Sequence, residues 1–260
     1  MRSQPSVVAP PAKLKADPYY TKFTYAREFP VLGSKRVSDQ AMLKANDTIR
    51  KMFAYRHDLV KAMMADDVRL IVLARGERLT DLPEFKDSGQ AGFDGARFAD
   101  YAPEYKRIVV PEENVLGGAD DPFAGQSTVV TGMAKAFYRV AGQRPVDPEF
   151  DKRRQKQQYE LRVKRLDVDF DQRVQKAYTQ AIEKGLWKGT PAARDKFEYW
   201  AAGVAAYYDA AGAGYPPHNA DRPITTRELL KAYDPELFAI VDETMAYREH
   251  QDWRYKAAGR

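Results

Sequence analysis

"STVVTGMAKAFYRV", residues 127–140, alternates small and apolar side chains at helical spacing. It reads as the buried part of an amphipathic helix expected over residues 123–140. To its N-terminal side lie two short β-branched runs, "VRLIVLA" at 68–74 and "KRIVVP" at 106–111, the second closed by Pro111. Both read as buried strands. To its C-terminal side the chain is helical. One helix is expected over about 148–184, with Tyr159, Val163, Leu166, Phe170, Val174 and Ala177 on its apolar face and Gly185 at its end. Another runs through "KFEYWAAGVAAYYDA" at 196–210. "TTRELLKAY" and "DPELFAIVDETMAY" give two short capped helices, with Asp234 as cap and Pro235 at the first helical position of the second. The class is therefore α+β: a small early sheet and a predominantly helical C-terminal body.

Earlier in the chain, Ser38 caps a helix whose apolar positions Met42, Ala45, Ile49 and Met52 recur at three and four. Residues 17–37, interrupted by Pro30 and Gly33, read as extended or irregular. Residues 75–105 form a long Gly/Asp/Pro-rich connection, of a length that is usually functional or hides small elements. Residues 1–16 have no apolar core of a signal peptide and are expected to be an extended tether, leaving 17–260 as one domain.

Composition narrows the chemistry. The 260 residues include no cysteine, which removes disulfides, thiolate nucleophiles and Cys-ligated metals. Apolar runs are too short to span a bilayer. A net charge of +5 is spread through interspersed charges, and no RNP-like, helix-turn-helix or zinc-finger spacing accompanies it, so nucleic acid is not an expected partner. The basic residues Lys152, Arg153, Arg154, Lys156 and Arg162 share one helix face, most simply a solvated one. The three histidines, 57, 218 and 250, have no ligand spacing. No G-x-S-x-G elbow or phosphate loop is present, although scattered residues leave a Ser-His-Asp triad or a carboxylate pair open. Taken alone, the residues identify no active site.

Several stretches, in order, resemble a bacterial family of secreted or envelope zinc-peptidase-like domains of the gluzincin type. That family is distantly related to the catalytic domain of anthrax lethal factor. The likeness rests on "DPYYTKF" at 17–23, "VSDQAMLKANDTIRKMFAYRHDL" at 37–59, "VRLIVLARGERLTDLPEF" at 68–85 and "EYWAAGVAAYYDA" at 198–210. It continues through "DFDQRVQKAYTQAIEKGLWKGTPAA" at 169–193, "HN" at 218–219 and "TTRELLKAYDPEL" at 225–237. The resemblance implies a zincin-like architecture and an extracytoplasmic location. It implies His-Glu-x-x-His on the helix near 131, where the histidines bind zinc and the glutamate activates water. A later Glu-[Tyr/Phe]-[Trp/Phe]-Ala-Glu helix supplies the third ligand and a supporting carboxylate, and a nearby tyrosine helps polarise the substrate.

Here the ligand, base and second-ligand positions are Thr131, Gly132 and Lys135. Glu198 remains at the third-ligand position, Ala202 replaces the supporting carboxylate, and Pro191 replaces the tyrosine. The expectation is a degenerate site without metal or cofactor, in a pseudo-peptidase that binds a protein or peptide. The alternative is a metal-independent hydrolase or lyase built from residues such as Lys135, Glu198, Tyr207, Tyr208, Asp209 and His218. A lysine beside a carboxylate can be a tuned base, but more often forms a structural ion pair. A cleft filled by Met133 and aromatic side chains would favour the module. An open polar pocket at Lys135 would favour the enzyme.

Overall fold

The computed structural model describes residues 5–86, 97–123, 125–143, 166, 169–212 and 223–245. At its centre is the strand β3 (Arg69–Leu73), buried along its whole length. Buried neighbours on both sides explain why its sequence is a continuous β-branched and aliphatic run rather than an alternating one. It pairs in parallel with β2 (Phe29–Ser34) and β5 (Arg107–Pro111). Antiparallel edges are added by β1 (Tyr20–Ala26) next to β2 and β4 (Ala99–Ala102) next to β5, giving a five-stranded mixed sheet in the order β1-β2-β3-β5-β4.

The period-two geometry of the strands divides their side chains between two cores. Leu70, Val72, Ile108 and Val110 join the larger core beneath the helices. Ile71, Leu73 and Val109 join a smaller one with Phe23, Leu82 and Phe85. The larger core is built by α1 (Asp39–Met52), α2 (His57–Ala65), α3 (Glu112–Leu116) and α4 (Thr128–Phe137) together with the C-terminal body. That body comprises α5 (Phe170–Glu183), α6 (Lys196–Tyr207), α7 (Arg227–Tyr233) and α8 (Pro235–Met245). The α+β expectation, with its early sheet and helical C-terminal body, is what the structure shows.

Residues 17–37, expected to be extended or irregular, are largely extended and paired. They form the β1–β2 hairpin, turning through Arg27 and Glu28, both left-handed at φ 51° and 72°. Such a turn is ordinarily signalled by Asn or Gly, and the pair used here gives no warning. Pro30 is tolerated because it lies opposite Tyr25, one step beyond the closing pair Ala26–Phe29, while the ladder to β3 begins only at Val31. Within the long connection the structure places a one-turn 3-10 helix, Leu79–Asp81, and the strand β4. Residues 87–96 and most of the proposed basic helix, including Lys152, Arg153, Arg154, Lys156 and Arg162, lie outside the described residues. In the segment expected as a tether, Val8 exchanges backbone hydrogen bonds of 2.9 and 2.8 Å with Phe23. The Leu14 carbonyl accepts from Arg69 Nη2 at 3.0 Å.

The helical body is joined by one buried carboxylate. Asp234 Oδ1 accepts from the Leu237 N–H at 3.0 Å, capping α8 as expected, while Oδ2 accepts from Trp187 Nε1 at 2.9 Å and the Tyr199 hydroxyl at 2.7 Å. Burial and the Asp234 charge push the Tyr199 pKa above its ordinary value, keeping the phenol a donor. Asp234→Ala would therefore strand two buried donors as well as a helix cap. Unfolding in urea should show a loss of about 3 kcal/mol or more. A loss below about 1 kcal/mol would remove Asp234 from this role.

Candidate functional site

Ser127 starts α4, its Oγ accepting from the Val130 N–H at 3.4 Å, so the helix begins later than residue 123. The preceding loop is held by Asn114, which donates to Asp121 and to the Gln126 carbonyl. At its other end α4 passes into a π-helical turn, Tyr138–Gly142. Along its length α4 lies against the edge strand β4 on one side and α6 on the other.

Gly132 is where α4 meets β4. A Cβ at this position would lie 2.5 Å from both the Asp100 carbonyl oxygen and Ile108 Cγ2. The backbone of β4 occupies the space into which a side chain at 132 would project. Glycine is thus a packing requirement here, independent of the chemistry a glutamate would bring.

One turn further, Lys135 joins the two walls. Its Nζ lies 2.9 Å from Glu198 Oε2 on α6 and contacts Asp100 Oδ2 on β4. Asp100 is a site residue that the sequence reading missed. It belongs to a four-residue strand inside a connection with no strand-like pattern. Glu198 is further held at Oε1 by Arg194 Nη2, 3.1 Å away. Burial pulls the Lys135 pKa below its ordinary value, and the Glu198 carboxylate opposes that shift. The Lys135 side chain is 14% exposed and that of Glu198 23%, so this link is largely withdrawn from solvent.

Thr131, Pro191, Glu198 and Ala202 all line one cavity of about 70 Å³, together with Asp100, Gln126, Trp187 and Tyr233. Thr131 does not reach the carboxylates: its hydroxyl is directed to the carbonyls of Ser127 and Thr128, at 3.5 and 3.3 Å. Pro191 opens a one-turn 3-10 helix, Pro191–Ala193. Met133 is fully buried in the larger core and does not line the cavity. The cavity is therefore not filled by Met133, and Lys135 does not line it but is paired with two carboxylates that do.

Other candidates face elsewhere. The Tyr208 hydroxyl donates to the Met52 carbonyl at 2.8 Å, and that of Tyr207 to Asp242 at 2.7 Å. Asp209 Oδ1 accepts from the Arg227 N–H at 2.9 Å. None of these three lines the cavity, which corrects their inclusion in an alternative active site. His57 is 3.7 Å from Glu28, beside the hairpin turn. His218 lies outside the described residues.

The residues at the cleft do not suit zinc. Among the described residues, no group of three or more His, Cys, Asp or Glu side chains is placed to hold a metal ion. The Glu198 carboxylate is engaged by one ammonium and one guanidinium. A dication there would have to displace Lys135 while facing its charge.

No family model matches the chain, and no curated protein matches it. Among solved structures it is similar to the PRO-PRO endopeptidase (PPEP-2) from Paenibacillus alvei, with 11% identity and a TM-score of 0.42 over 82% of this chain and 96% of that one. Likeness at that level carries no conclusion about chemistry.

Two outcomes follow from the geometry. Gly132→Ala should cost about 1–3 kcal/mol in urea unfolding, because the β4 backbone at Asp100 and the buried Ile108 side chain are both in the way. Lys135→Met should cost about 2–4 kcal/mol, since it leaves two half-buried carboxylates facing each other. Among the described residues Asp100 has no second cation, whereas Glu198 keeps Arg194. Lys135→Met with Asp100→Leu should therefore recover more stability than Lys135→Met with Glu198→Leu. The reverse order would contradict the assigned partners.

Proposed function

We propose that the chain is a non-catalytic, peptidase-like module whose cleft binds a protein or peptide partner. The observation that carries this reading is the ion bridge from β4 through Lys135 to α6, two of whose members, Lys135 and Glu198, stand at positions that the resemblance assigns to metal ligands. A lysine there ties the two walls together and supplies neither a Lewis acid nor a hydroxide. With Gly132 against the β4 backbone, the base position has no room for a carboxylate. What persists is a cleft lined by small residues, beside the edge strand of the sheet. A concave, mostly apolar site with a few polar groups is the ordinary form of a ligand-binding site.

The alternative, a metal-independent hydrolase or lyase, has the lowered pKa of Lys135 in its favour. Against it stands the pairing of the same ammonium with two carboxylates, which leaves no lone pair for attack.

Two experiments test the proposal. After dialysis against zinc and then zinc-free buffer, metal analysis should find well under one equivalent per chain. Stoichiometric zinc would overturn the degenerate-site reading. For binding, a displayed random-peptide library selected on the wild type should yield ligands whose affinity falls at least about tenfold on Ala202→Leu, which narrows the cleft without touching a charge. Ligands indifferent to that substitution would place binding elsewhere.

A further inference from the structure

We propose that the cleft continues past the Lys135 bridge onto an anion-binding platform, Arg139 stacked on Phe197, which takes an aspartate or glutamate side chain of the bound peptide. This rests on the reading of the cleft as a peptide-binding site and names a residue that sets its specificity.

Arg139 follows Thr131 and Lys135 at four-residue steps along α4 and its π-helical extension, and residues so spaced share one face of a helix. Lys135 reaches Glu198 on α6, and Arg139 reaches the residue before it, with its guanidinium carbon 3.4 Å from the centre of the Phe197 ring. The two cations therefore border the same wall. Thr131 and Ala202 line the cavity on the other side of Lys135. On the strand side, burial together with the charge of Asp66 pushes the Tyr101 hydroxyl up to about 12, and the Arg139 charge opposes that rise, so its field reaches β4 as well. Arg139 leaves the helix within the π-helical turn Tyr138–Gly142, and such widened turns recur at functional sites.

Among the described residues, Arg139 is the cation of this group left without an anion. Lys135 is shared by Asp100 and Glu198, Arg194 takes the other oxygen of Glu198, and Lys196 lies 2.8 Å from Asp171. Asp195 is engaged at the start of α6, its Oδ1 accepting from the Phe197 and Glu198 N–H groups at 2.8 and 2.9 Å. Arg139 is exposed, and among the described residues its guanidinium forms no ion pair. The local carboxylates are therefore committed to other donors, and the one open charge is positive.

The stack decides what this cation can bind. A guanidinium so close to the ring centre lies over the ring face, which leaves its N–H donors free around their own plane. The ring is braced in turn by Tyr138, 4.9 Å away between centroids. Much of the rotamer freedom of a long side chain is thus lost before a ligand arrives, which lowers the cost of binding one. Backbone carbonyls of a peptide offer single neutral acceptors. A carboxylate offers a charge and two coplanar oxygens that match the fork, and charge-assisted bonds are about twice as strong. Thr131 and Arg139 are about 12 Å apart along the helix axis, and Ala202 and Phe197 about 8 Å. An extended peptide, at about 3.3 Å per residue, covers that span in about two to four residues.

The test uses the full chain and those library-selected peptides that Ala202→Leu weakens, synthesised with amidated carboxyl ends so that any carboxylate is a side chain. These peptides should share an Asp or Glu at a fixed place. Changing it to Asn or Gln should weaken binding about tenfold, and Arg139→Gln should do the same. The two changes together should weaken binding no more than either alone. Arg139→Lys, which keeps the charge but not the fork, should recover only part of the loss. Cleft-binding peptides with no shared acidic residue, or with affinities that Arg139→Gln leaves unchanged, overturn the platform and leave the peptide-binding reading standing. Independent, fully additive effects of the two changes overturn it as well. If every selected peptide is indifferent to Ala202→Leu, the peptide-binding reading of this cleft falls and the platform with it. Should Arg139→Gln fold poorly, Arg139→Lys completes the same cycle with the peptide-side change.

Discussion

The cleft depends on one cation. Lys135 projects from α4, the helix that runs between β4 and α6, and touches a carboxylate on each. Without it, two acidic side chains would share a largely dehydrated space. With it, the edge strand and the helical body are fastened to the same point of the same helix. The closeness of β4 to α4 at Gly132 is the other half of this arrangement, because any side chain there would hold the strand away and stretch the bridge.

This constraint also accounts for what β4 is. The strand has four residues and an irregular register with β5, matched at Ala99 to Val109 and at Ala102 to Arg107. So short an edge has little ladder to hold it, and the Lys135–Asp100 contact compensates from the helix side. The price is an Asp100 oxygen, Oδ1, that is buried with no hydrogen-bond partner among the described residues.

Legibility of the fold followed the strength of local signals. The strands β3 and β5 were plain because both are buried on two faces and carry uninterrupted β-branched runs. Helix α1 was plain from its spacing and its Ser38 cap, which accepts from the Ala41 N–H at 3.2 Å. The β1–β2 hairpin was hidden because Arg27 and Glu28 adopt left-handed conformations usually marked by Asn or Gly. Trp187 was hidden for the same reason: positive φ at a tryptophan is imposed by its neighbours and leaves no trace in composition. At the site, position-by-position resemblance picked out Lys135 and Glu198, which the structure brings together. Asp100 escaped, since its role comes from tertiary proximity to a helix more than thirty residues away in sequence.

The central claim is that Lys135 holds the edge strand against the helix. Amide hydrogen exchange in wild type and Lys135→Met tests it most directly, because it reads local opening separately from global stability. The account predicts that protection falls most at the β4 amides, residues 99–102, and in the first turn of α6, with β2 and β3 changed only as far as global stability changes. Unaltered protection in β4, or a loss shared evenly across the sheet, would contradict it.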